Sequence, residues 1–180
     1  EAAAPALTRS IMPTHRTAAA QPAASMQLAS LDPAPQASPT LADTDEHTAI
    51  YDIAAHTVYL PDGRKLEAHS GIGHRLDDPH YVDAKNRGPT PPNVYQLTLR
   101  EHSFHGVRAL RLIPVGDAKM FGRDGILAHS YMLGPNGQSN GCVAVRNYPA
   151  LLHAYLSGEV DRLVVVDHLT THNRNFASLM

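Results

Sequence analysis

Cys142 is the only cysteine in the 180-residue chain, and His129 stands thirteen positions before it. A thiol attacks carbonyl carbon as the thiolate, yet at its ordinary pKa of ~8.5 only about 3% is ionised at neutral pH. A neighbouring imidazole can take the proton and, once charged, stabilise the anion. The segment Ser139-Asn140-Gly141-Cys142-Val143-Ala144-Val145 supplies a second requirement. Acyl transfer creates an oxyanion beside the sulfur, and backbone N–H groups are its usual donors. Gly141 lets substrate approach the peptide groups of Gly141, Cys142 and Val143, because it has no Cβ. A lone cysteine in an apolar run is more often a small core residue. The combination with His129 and a glycine-rich loop is what points to catalysis.

These residues need elements to hold them. Short β-prone runs occur at 49–53, 57–60, 64–69, 94–99, 107–113, 126–128, 142–145 and 163–166, with Pro61-Asp62-Gly63 as a turn. The spacing predicts a helix over 148–156, through Leu151, Leu152, Tyr155 and Leu156. It opens after Asn147 with Pro149 in its first turn and stops at Gly158. The runs carrying His129 and Cys142 are expected to pair as antiparallel strands, joined through the turn-prone Gly134-Pro135-Asn136-Gly137. Residues 71–93 form a long Gly- and Pro-rich segment, a length that in a compact domain is usually functional or an insertion.

The organisation read from this is a linker over 1–46, a catalytic domain over 47–168 and a C-terminal tail over 169–180. The first 40 residues hold 12 Ala and 6 Pro, too little bulk to bury and too many breakers for a helix, so a disordered linker is expected. The chain begins with Glu1 rather than Met, which reads as a fragment or a processed product. With 15 Lys+Arg against 17 Asp+Glu, no basic field attracts nucleic acid. No apolar run is long enough to span a membrane, and a single cysteine excludes an internal disulfide framework.

The pattern of His129-Ser130, a loop, then Ser139-x-Gly141-Cys142 resembles the catalytic motif of the L,D-transpeptidases (YkuD-like domains). Gly88-Pro89-Thr90-Pro91-Pro92-Asn93-Val94-Tyr95 is similar to the region before a core strand in that family. Asn140 stands in place of a histidine, Ala144 in place of Asn or Arg, and the loop from base to nucleophile is short. These features look closest to the subgroup of type VI secretion L,D-transpeptidase effectors. The resemblance implies a mainly β fold, an L,D-transpeptidase-like β-sandwich with one helix after the catalytic strand. It implies Cys142 as nucleophile, His129 as base and Ser130 as the residue that orients the imidazole through its backbone oxygen. Ser139, Asn140, Tyr131 and Arg146 are the expected substrate contacts, and no cofactor is expected.

The activity so implied is acyl transfer on peptidoglycan tetrapeptide stems, by L,D-carboxypeptidase action or exchange of the terminal D-amino acid. The setting is the periplasm or cell envelope, or a target cell's periplasm for a secreted antibacterial effector with a cognate immunity protein. A housekeeping cross-linking enzyme and a non-catalytic peptidoglycan-binding module are the alternatives. The 12 histidines raise a metal site as a rival. His69, His74 and His80, and the pair His102 and His105, have generic spacing without a His-Glu-x-x-His pattern, so no metal is expected. A papain-like peptidase would place Cys before His, the reverse of this order.

Overall fold

A computed structural model of the chain describes residues 46–169. The expected linker, all but its last residue, and the tail beyond Leu169 lie outside the described residues. Eight strands and one helix follow in the order β1 (Thr48–Asp52), β2 (Thr57–Tyr59), β3 (Lys65–His69), β4 (Asn93–Leu99), β5 (Leu110–Pro114), β6 (Leu127–Ser130), β7 (Val143–Val145), α1 (Tyr148–Leu156) and β8 (Arg162–Val166). The class is mainly β, with its helix directly after the strand that follows Cys142. Two layers were expected; the strands instead close a ring in the order β1-β2-β3-β7-β6-β5-β4-β8. Closure leaves no sheet edge free.

Alternation along the strands explains the core. Tyr51, Val58, Leu66, Ala68, Tyr95, Leu97, Leu110, Leu112, Ala128, Val143, Val145, Leu163 and Val165 form one buried cluster, the residues of one face of each strand. Ile50, Val164, Val166 and Leu169 make a smaller cluster on the other face of β1 and β8. The Leu169 N–H donates to Asp52 Oδ2 at 2.9 Å.

Helix α1 has the predicted bounds, but its buried stripe is Tyr148, Leu151 and Ala154, and Leu156 is 52% exposed. The helix turns this stripe into the main core beside β6 and β7. Truncating Leu151 to Ala would cost about 2–5 kcal/mol, as for other fully buried leucines. Asn147 makes no side-chain cap, so the start rests on Pro149 and packing.

The decisive difference concerns β6 and β7. They are neighbours, as expected, but parallel: Ala128 pairs with Val143, His129 with Ala144 and Ser130 with Val145. Gly134-Pro135-Asn136-Gly137 does form a turn, closing a Leu133–Gln138 bridge of its own. It lies inside a connection over residues 131–142 long enough to carry the chain back to start β7 in the same direction. The run expected at 107–113 begins as a strand only at Leu110, because Val107 folds back on Phe104.

Candidate active site

The parallel register decides which side chains meet. Ala144 pairs with His129 on one side and with His69 of β3 on the other, so all three share one face of the sheet. Ala128, Val143 and Val145 point the opposite way, into the core. Cys142 stands in the bend just before β7, where the Leu127 backbone at the start of β6 and the Arg123 charge act on its thiol.

His129 is 4% exposed. Its Nδ1 donates to the Ser130 carbonyl at 2.6 Å, which fixes the tautomer: Nδ1 holds the proton and Nε2 is free to accept one. The Phe104 ring lies 5.4 Å from the imidazole, centroid to centroid. Burial lowers the His129 pKa, against the pull of the Ser130 carbonyl, and the His105 charge lowers it further.

Cys142 is partly buried and free. Burial pushes its thiol above the ordinary range, while the Leu127 backbone N–H and the Arg123 charge pull it down. Burial thus moves the two groups in opposite directions, the thiol up and the imidazole down.

The turn carrying Cys142 is held from three sides. Ser139 is 2% exposed; its hydroxyl donates to the Cys142 carbonyl at 2.5 Å and accepts the Gly141 N–H at 3.3 Å. The Ser139 N–H donates to the Gly71 carbonyl at 2.9 Å. Thr90, fully buried, donates from Oγ1 to the Gly141 carbonyl at 2.9 Å, and its N–H donates to Ser70 Oγ at 2.8 Å. The Gly- and Pro-rich segment thus clamps the turn that carries Cys142.

Arg123 completes the clamp, and the sequence reading missed it. It is 7% exposed and donates to the carbonyls of Ala84 at 2.7 Å, Gly88 at 3.2 Å and Pro89 at 2.5 Å. Its direct partners are carbonyls, so the cation keeps its charge beside Cys142 and depresses the thiol pKa. Gly122-Arg123-Asp124-Gly125 reads as a surface turn; its only signal was position, just before β6.

The other expected site residues lie further out. Asn140 is exposed and Ser130 half-buried. Tyr131 donates to Glu67 Oε1 at 3.0 Å and meets the His69 ring edge-on. Arg146, expected as a substrate contact, is exposed and ion-paired with Glu67 at 2.9 Å. Tyr131, Glu67, His69 and Arg146 thus form a polar rim on β3 and the ends of β6 and β7.

Comparison with known proteins corrects the resemblance drawn from the sequence. The family model for the Tlde1 domain matches residues 64–169, from β3 to the last described residue. No match to the YkuD-like L,D-transpeptidases supports the earlier assignment. That assignment rested on short motifs, His129-Ser130, Ser139-x-Gly141-Cys142 and Gly88–Tyr95, whereas the family match spans more than a hundred residues. No curated protein matches the chain. The Tlde1 match covers well over half of the chain and runs through His129, Ser139, Gly141 and Cys142, so the chain belongs to the Tlde1 domain family, a family of type VI secretion effectors.

Proposed function

We propose that this domain is a cysteine-dependent acyl-transfer enzyme acting on the tetrapeptide stems of peptidoglycan, delivered as an antibacterial effector into the periplasm of a target cell. The observation that carries the reading is the register that sets His129 beside Ala144, two residues after Cys142, with His129 Nδ1 tied to the Ser130 carbonyl.

The chemistry starts from a thiol whose pKa burial raises and an imidazole whose pKa burial lowers. As the sulfur attacks the carbonyl of the third stem residue, its proton passes to His129 Nε2. Negative charge develops on the former carbonyl oxygen, within reach of the backbone N–H groups of Cys142 and Val143. The Gly141 N–H, held by Ser139 at 3.3 Å, can trade that long bond for the oxyanion. His129 then returns the proton to the departing amine of the terminal D-alanine, and a thioester remains. Water resolves it as an L,D-carboxypeptidase, or a free D-amino acid resolves it by exchange. Arg123 lowers the cost of charge on the sulfur during attack. Ser139 acts on substrate only through the turn it holds, and Asn140, Tyr131 and Arg146 are assigned to substrate contact by the sequence pattern alone.

Membership of an effector family favours a toxic role over housekeeping cross-linking. A producing cell then needs a cognate immunity protein, and the face bearing Cys142 is the surface to block. Incubation with disaccharide-tetrapeptide followed by mass spectrometry, for the parent protein and Cys142→Ala, tests the reading. Loss of one alanine or a swapped D-amino acid, absent in Cys142→Ala, is the expected result. A dimeric product would point to cross-linking, and the lack of any thiol-dependent product would leave a non-catalytic wall-binding module.

A further inference from the structure

On the sheet face that carries His129, one polar cluster has no part in the acyl-transfer chemistry. His69 Nδ1 donates to Asp77 Oδ2 at 2.6 Å, and His56 Nε2 lies 3.8 Å from the same oxygen. The three ligand atoms all fall within 4.8 Å of one another. We propose that His56, His69 and Asp77 form a binding site for a divalent transition-metal ion, zinc above all, with its remaining coordination position open to solvent.

The donor set suits that ion. Two imidazoles and one carboxylate are a frequent three-ligand combination for zinc, leaving a fourth place for water or another donor. Bonds of 2.0–2.2 Å in a tetrahedron put ligand atoms about 3.3 Å apart. The His69–Asp77 pair would open slightly from 2.6 Å and His56 would close slightly from 3.8 Å. Both moves are within side-chain freedom.

The surroundings are arranged as a ligand shell would be. Asp77 has a side chain only 6% exposed, and its second oxygen accepts the Ser70 N–H at 2.9 Å, which fixes the carboxylate and leaves Oδ2 for the shared point. Behind His69, its Nε2 faces Glu67 Oε1 at 3.4 Å. Glu67 is itself held by Tyr131 at 3.0 Å and Arg146 at 2.9 Å. A carboxylate on the far nitrogen of a ligating histidine orients the ring and raises its basicity.

Hydrogen bonding accounts for His69 and Asp77 without any ion, and the His56 ring packs against that of His69 with centroids 5.3 Å apart, so two imidazoles converge on one carboxylate. The His56 side chain is 50% exposed, free to turn to water, yet it faces the same carboxylate oxygen. His56 and Asp77 both adopt the left-handed conformation, with φ of 54° and 57°, a costly backbone for residues other than glycine. On the open side, His56, Glu67 and His69 line a cleft of about 360 Å³ together with Thr57 and Lys65, which gives an ion its path of entry. An ion there would join the β1–β2 turn, strand β3 and the segment leading to Thr90.

The test titrates the metal-free full chain with zinc by calorimetry and with cobalt by visible absorption, in a Cys142→Ala background so that the thiol cannot contribute. His56→Asn is the principal variant, because asparagine tolerates the left-handed conformation and lacks the imidazole. One saturable site with a tetrahedral cobalt spectrum is expected, together with a rise in the thermal midpoint on adding zinc. His56→Asn should weaken binding at least tenfold while keeping the metal-free midpoint, and Asp77→Asn should abolish it. Absence of saturable binding, or an affinity in His56→Asn within twofold of its parent, would overturn the proposal. The second result would assign the binding to other histidines of the chain.

Discussion

Gly141 lies flat against Arg123: a Cβ at position 141 would begin 2.7 Å from Arg123 Nη1 and 3.1 Å from the Gly88 carbonyl oxygen. The guanidinium cannot swing aside cheaply, because it is bound to the carbonyls of Ala84, Gly88 and Pro89. Gly141 also has a φ of 102°, which an L side chain adopts only under strain. Gly141→Ala should therefore destabilise the fold by about 1–3 kcal/mol and shift the nucleophile. Urea unfolding and the rate of Cys142 alkylation measure the two effects separately. An unchanged midpoint would mean that the turn has room the contact distances do not show.

The charge of Arg123 can be separated from its packing. Arg123→Met removes the cation that pulls the Cys142 pKa down, whereas Arg123→Lys keeps a positive charge in the same cavity. The apparent pKa of Cys142, read from the pH dependence of alkylation, should rise in Arg123→Met and stay nearer the parent in Arg123→Lys. Both variants lose stability because backbone carbonyls lose their donors. If the two variants give the same thiol pKa, the role of Arg123 is packing alone.

Thr90 joins the Gly- and Pro-rich segment to the nucleophile turn through a single hydroxyl. Its Oγ1 donates to the Gly141 carbonyl, and the site is fully buried. Thr90→Val keeps the shape and removes the donor, so a buried carbonyl is left short of a partner at a cost of about 1–3 kcal/mol. Turnover of the tetrapeptide should fall more than binding, since the turn holds the sulfur and not the stem. A drop in affinity alone would place Thr90 in substrate binding instead.

Much of this architecture could be read from the sequence because local rules set it. Alternation places Val143 and Val145 inward, and Pro149 with Gly158 brackets the helix whatever surrounds it. The direction of β6 against β7 could not be read in this way. Gly134-Pro135-Asn136-Gly137 promises a hairpin and makes one, but only across Leu133 and Gln138; whether the chain then doubles back is decided by tertiary pairing. Arg123 was hidden for the same reason. Its burial depends on carbonyls at positions 84, 88 and 89, and no local pattern announces a cation bound to distant backbone. His56 and Asp77 meet His69 only once β3 and the following segment are in place. The short motifs around His129, Ser139, Gly141 and Cys142 were too few positions to fix the family, which the match over residues 64–169 does.

The pH dependence of activity follows from the environment of His129. Burial lowers its pKa below the ordinary value of about 6.5, aided by the His105 charge and opposed by the Ser130 carbonyl. The attack needs the neutral ring, so the acid limb of the kcat/KM profile should lie below pH ~6.5. Stability moves in the same sense. Below about pH 6.5 the unfolded chain binds a proton at this position that the folded chain resists, so this group costs stability as pH falls toward the folded pKa, and no further below it. Phe104→Ala exposes the imidazole, whose ring centroid lies 5.4 Å from that of Phe104, and should move the acid limb upward toward the ordinary histidine value. The parent and Phe104→Ala profiles, measured on the same tetrapeptide, decide the matter: an acid limb already at or above the ordinary value in the parent would remove His129 as the buried base.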